Sequence, residues 1–260
     1  MDKKIKDFTR YKDIILYRAL AGLKSEARQN FLGYFWFVLE PLISTGIFYF
    51  AMSHLTGQRG AGAVFSILLG MTAWQWFEGS VLLSANSIKS KFHIHQQVPL
   101  PKFLFPLVDI SINTIRFTFA FTIIVVACLM INKGPSWALL SLPAVLIIQL
   151  LFIVSLSLVI SIAVTLFSDL FLILQSTFRL LFFVSGIFFG AERVPPHLLP
   201  YFHANPITIF IESYRAIIID QKMPDLYLLQ NALLVTGGLL IIGCIIQAYF
   251  DKRLLKLTNA

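Results

Sequence analysis

WALLSLPAVLIIQLLFIVSLSLVISIAVTL, residues 137–166, runs for 30 positions without an Asp, Glu, Lys or Arg. At about 1.5 Å of rise per residue such a run is longer, as a helix, than the roughly 30 Å hydrocarbon core of a bilayer, which about 20 apolar residues already cross. YLLQNALLVTGGLLIIGCIIQAYF, residues 227–250, makes the same case with no charge at all. Outward from these two, four further apolar segments lie near 33–55, 63–85, 104–131 and 170–190. They carry Glu40, Glu78, Asp109 with Arg116, and Arg179. An ionised group at the bilayer centre costs about 2.5–3.5 kcal/mol on insertion scales, so these must face protein, water or the interface. Composition agrees: 57% of the chain is hydrophobic and 13% charged, against about half and about a quarter in soluble domains. The expectation is an all-α integral membrane protein of six transmembrane helices, a single domain over residues 1–260.

Orientation follows from the basic residues. Fourteen lie in the stretch through Arg28, the 86–103 loop and the C-terminal tail, against five (Arg59, Lys133, Arg193, Arg215 and Lys222) on the other side. The richer side is expected to be cytoplasmic, which places both termini in the cytoplasm, as an even number of spans requires. MDKKIKDFTRYKD is basic but has no apolar core followed by a cleavage site, so it is not read as a signal peptide.

Three connecting regions are distinctive. Within residues 1–30, Ile5, Phe8, Tyr11 and Ile15 share one helical face opposite Lys and Asp, the pattern of an amphipathic helix lying in the membrane interface. NSIKSKFHIHQQVPLPKF, 86–103, has Asn86 or Ser87 to cap a short helix and Pro99 and Pro101 to stop it. It suits presentation to a partner, or a plain connector. Residues 191–226 are too long for a turn; ITIFIESYRAIII at 207–219, preceded by four prolines, is too short to span and suits a re-entrant outer-leaflet helix.

Several chemistries are excluded. The net charge of +8 comes from residues outside the apolar runs, a topology signal rather than a nucleic-acid surface. Cys128 and Cys244 lie inside apolar runs, so no disulfide framework is expected. No GxxxxGK[ST], GxSxG or HExxH occurs, and His93 and His95 point to different faces of a helix, so neither a catalytic nor a metal site is expected. Aromatics are the positive signal, at 14% of the chain. Phe171, Gln175, Phe178, Phe182 and Phe189 recur on one helical face. Packing is the plainer explanation; the sharper one is a conduit for sugars, whose C–H faces rest on rings without fixing one register.

At this point the chain resembles a known family. RQNFLGYFWFVLEP (28–41) is similar to the start of the first span in permeases of type-two ABC exporters of capsular polysaccharide, lipopolysaccharide O-antigen or teichoic acid, with Arg28, Leu32, Gly33, Trp36, Glu40 and Pro41 matching. GMTAWQWF (70–77), VPLPKFLFPL (98–107), LFSDL (166–170) and NPITIFIESYRAIII (205–219) follow in order, LFSDL with Ser168 where the family more usually has Arg. The resemblance implies a homodimer in the bacterial inner membrane with two copies of a separate cytoplasmic ATPase, which carries ATP and Mg; this chain binds no cofactor. It implies that residues 88–97 couple to the ATPase through Lys89, Lys91, Phe92, His93 and His95. It also implies that spans one and five line a channel for lipid-linked polysaccharide, with Tyr34, Trp36, Phe37, Glu40, Phe171, Phe178, Phe182 and Phe189 as candidates. An exporter of a small drug or lipid, or a membrane enzyme of polysaccharide assembly, are the alternatives.

Overall fold

A computed structural model describes residues 2–29, 31–56, 60–90, 101–131 and 134–257, and among these every regular element is helical. In chain order they are α1 (Asp2–Gln29), α2 (Trp36–Thr56), α3 (Ala61–Ser90), α4 (Leu104–Ile131), α5 (Leu142–Leu166), α6 (Leu170–Val184), α7 (Leu199–His203), α8 (Pro206–Ile218) and α9 (Leu226–Leu257). Short 3-10 turns at Gly33–Phe35 and Trp137–Ser141 lead into α2 and α5.

Four stretches among the described residues are long and apolar enough to cross a membrane: Gly33–His54, Leu104–Ile131, Trp137–Leu166 and Leu226–Phe250. These are four of the six expected spans. The remaining two differ for physical reasons. α3 has the length, at 30 residues, but Thr72, Trp74, Gln75, Trp76 and Glu78 dilute its apolarity. It can carry them because it is the central helix, flanked by α2, α4, α5, α6 and α8, with Leu69, Ala73, Trp74 and Val81 at most 1% exposed. A helix enclosed by protein need not satisfy lipid all round. α6 is only 15 residues long and ends at Val184 rather than near 190. The chain leaves it through Gly186 at φ 71°, where a Cβ would come within 2.7 Å of the Phe202 ring. Only glycine fits that combination of backbone and neighbour.

The N-terminal helix fills nearly the whole of the expected stretch and docks on protein. Tyr11 meets Phe103 edge-on, Ala19 and Leu23 are buried, and Gly22 lets Ile112 of α4 approach. At the other end of α3, Asn86 and Ser87 do not open a new helix. α3 continues to Ser90, and the buried Ser87 hydroxyl donates to the Ser84 carbonyl of the same helix. Lys91, Phe92, His93 and His95 fall in 91–100, outside the described residues.

Candidate functional site

Residues 205–219 form a well-enclosed part of the bundle, with ten residues of α8 buried. Asn205 caps α8 by accepting from the Ile207 N–H at 3.1 Å, Pro206 occupies the first helical position, and the Asn205 amide donates to Ser185 Oγ at 2.8 Å. From α8, Glu212 accepts from the Ala191 N–H and pairs with His203 Nε2, each at 3.0 Å. Tyr214, fully buried, donates to Gln149 Oε1 at 2.5 Å, and Gln149 Nε2 donates to the Ala73 carbonyl at 3.1 Å, tying α8 to α5 and α3. Arg215, 9% exposed, spreads its guanidinium over main-chain carbonyls alone: Gly186, Ile187 and Phe189 just past α6, and Ser66 of α3. A cation there meets the negative end of the α6 dipole and the main-chain carbonyls that follow it.

The α6 stripe is only partly the face its spacing drew. Phe178, 3% exposed, lies 5.1 Å from Phe77 and 6.1 Å from Trp74; Phe182 lies 5.7 Å from Trp74 and 5.3 Å from Phe48 of α2. Phe171 and Gln175 are half-buried on the same helix. Phe189 is a correction: it lies beyond the break at Gly186, so it is not on that face, and its ring stacks at 5.8 Å on Phe202. The opposite face of α6, with Leu172, Ile173, Arg179, Leu180 and Phe183, is exposed. So are Leu42, Ile43, Ile47 and Phe50 of neighbouring α2.

A cavity of about 310 Å³ opens among α1, α2, α3 and α4. Trp36, Phe37 and Glu40, three of the residues nominated on span one, lie on its wall; Tyr34 does not, but its ring sits 5.9 Å from Phe37. Facing them are Glu26, Gln75, Trp76, Glu78, Asn113, Arg116 and Phe117. Trp76 and Phe117 stack with centroids 4.0 Å apart, and the Trp76 N–H donates to Thr114 Oγ1. Arg116 is ion-paired with Glu26, donates to Asn113 Oδ1 at 3.3 Å and lies 5.3 Å over the Phe37 ring. Glu78 accepts from the Trp74 N–H at 2.7 Å. Sequence marked Glu78, Asn113 and Arg116 at most as polar residues in apolar runs. Their spacing inside separate helices held no sign that they converge.

Of the coupling candidates, Lys89 is described: it is exposed, and its Nζ donates to Ser168 Oγ at 2.7 Å. This fastens the end of α3 to the turn between α5 and α6. The Ser that departs from the family pattern thus has a partner in this chain.

Comparison with known proteins places the chain. It is 22% identical over 227 residues to the O-antigen export system permease protein RfbA of Myxococcus xanthus, covering 86% of this chain and 87% of that one. Two proteins of the same name from Klebsiella pneumoniae are each 23% identical, over 242 and 231 residues, with 92% and 88% of both chains covered. Residues 18–219 match the ABC-2 type transporter family, from the middle of α1 through the end of α8. A multi-pass helical membrane protein with this match through most of its length belongs to the ABC-2 type transporter family.

Proposed function

We propose that this chain is the permease subunit of an ABC exporter that moves a lipid-linked surface polysaccharide, of the O-antigen or capsule type, across the bacterial inner membrane. The observation that carries this reading is the likeness, over about nine-tenths of the chain, to permeases named for O-antigen export. ATP is hydrolysed by a separate subunit, and both termini face it from the cytoplasm. Six spans are retained in this reading, with α3 and α6 as the two that protein shields, and the 191–226 segment as a re-entrant cap on the outer side.

The working unit is a homodimer whose channel runs between protomers. α2 and α6 meet through Phe48 and Phe182 and share an edge of the bundle, and both leave an apolar face uncovered there. A second copy on that edge would bury it, as uncovered apolar surface favours. A long polymer cannot fit inside one closed cavity, so an interprotomer passage suits it better than an alternating pocket. Phe178 and Phe182 then stiffen the wall from behind, while Arg179, Thr177 and Phe183 are the groups presented forward. Segment 86–103 docks on the ATPase. Lys89, through Ser168, passes its displacement to the start of α6.

The test is a strain lacking this chain. It is expected to lose its surface polysaccharide and to accumulate the lipid-linked glycan on the cytoplasmic face. Restoring the chain with an active ATPase should reverse both, and restoring it with an ATPase unable to hydrolyse ATP should reverse neither. Unchanged surface glycan in the deletion strain would reject the reading and favour a drug or lipid exporter.

A further inference from the structure

The cavity among α1–α4 holds more recognition chemistry than a crevice between spans needs. Asn113 is 8% exposed and lines it, yet its Nδ2 has no hydrogen-bond partner, and neither has Arg116 Nε. Buried donors of this kind are unfavourable until something supplies acceptors. Around the same space stand the carboxylates of Glu40 and Glu78 and the rings of Trp36 and Trp76. At about 310 Å³ it lies at the small end of ligand cavities, which run about 300–1,000 Å³.

We infer that this cavity binds one neutral pyranose unit. The inference rests on the export reading above and names what its substrate presents to each protomer, apart from the passage between protomers. A pyranose rim both donates and accepts. Its hydroxyls give hydrogen bonds to the carboxylates and take them from Asn113 and Arg116, while its C–H faces lie against indole rings. Three carboxylates, Glu26, Glu40 and Glu78, line the space with one guanidinium, Arg116, and Arg179 of α6 acts on Glu78 from outside the lining. That balance repels phosphate and acidic sugars, so the unit is neutral. Glu40 sits at the start of α2, Glu26 at the end of α1, and Glu78 in the later half of α3. On the expected topology all three belong to the cytoplasmic half, where a substrate enters.

The full-length chain in phosphatidylcholine nanodiscs would be mixed with methyl glycosides of glucose, galactose, mannose, N-acetylglucosamine, rhamnose and fucose. Saturation-transfer NMR then reads which ring protons touch protein. At least one sugar is expected to show transfer, falling fivefold or more in both Asn113→Ala and Glu40→Gln. Glu40 is exposed, so Glu40→Gln keeps the fold if burial of Asn113→Ala disturbs it. Silence across the panel, or transfer unchanged in Glu40→Gln, overturns the inference. So does loss of transfer when phosphatidylethanolamine replaces half the lipid, which would make an amine headgroup the occupant. The two readings separate cleanly. Export with no sugar contact here removes only this inference, whereas sugar binding in a chain that does not restore surface glycan removes only the export reading.

Discussion

Arg215 and Arg116 both interrupt apolar helices of a membrane protein, and they are held in opposite ways. Arg215 is 9% exposed and donates to four main-chain carbonyls, three of them in the turn that ends α6. Nothing about it is left to bind a ligand. Arg116 has a side chain 27% exposed, one carboxylate partner, one amide partner, a ring beneath it and an Nε without an acceptor, all at the edge of a cavity. A charge in an apolar helix of a membrane protein is a functional signal by default, and the surroundings of these two refine that default. A guanidinium saturated by backbone is a fastening. One that is incompletely satisfied beside open space is a candidate for recognition, as proposed above.

The sharpest way to break the comparison is Arg215→Met. Each carbonyl left without a donor in a buried site costs about 1–3 kcal/mol, and several are orphaned at once. We expect loss of about 3 kcal/mol or more, seen as a collapse in membrane abundance and a lower unfolding temperature in detergent. Arg215→Lys should rescue little, since a point charge cannot reach both Ser66 and the 186–189 turn as the planar fork does. Normal abundance of Arg215→Met would return this residue to the functional class.

A smaller effect is expected one residue away. Tyr214→Phe leaves Gln149 Oε1 without the donor that reaches it at 2.5 Å, a cost of about 1–3 kcal/mol. Adding Gln149→Leu should recover part of it, because removing both partners is far less costly than removing one. A double variant as unstable as the sum of the singles would show that the pair does not act as a unit.

The smallest effect on stability, and the most informative about function, is expected from Arg116→Gln. Its ion pair with Glu26 is 27% and 33% exposed on the two side chains, between open surface pairs worth under about 1 kcal/mol and buried ones whose breaking costs about 3–5 kcal/mol. Abundance and unfolding temperature should stay nearer the parent than in the variants above, while surface polysaccharide falls. Equal losses in stability and export would make Arg116 a second fastening and erase the contrast.

Much of the architecture was legible because span formation is nearly a local property. The runs at 137–166 and 227–250 declare themselves without knowledge of any neighbour, since lipid penalises each charge independently of the rest of the fold. The family pattern around Trp36, Glu40 and Pro41 was equally plain. Less legible were the ends. The seven-residue step from Phe182 to Phe189 looked helical, but Gly186 turns the chain between them. Asn86 and Ser87 looked like caps, but α3 carries on past them because its buried face continues through Ser87 and Ile88.

The sequence by itself determined that the chain lives in a membrane, which stretches are apolar enough to cross it, and which family it joins. Those follow from sums over short windows and from ordered motifs. Only the tertiary structure decided which face of each helix meets protein and which charges are spent. That depends on partners such as Gln149 and Tyr214, 65 residues apart, or Arg215 and Ser66, 149 apart. A side chain's spacing along its own helix fixes its direction but not what stands opposite. The meaning of a buried polar group is set by whether that opposite surface completes its hydrogen bonds.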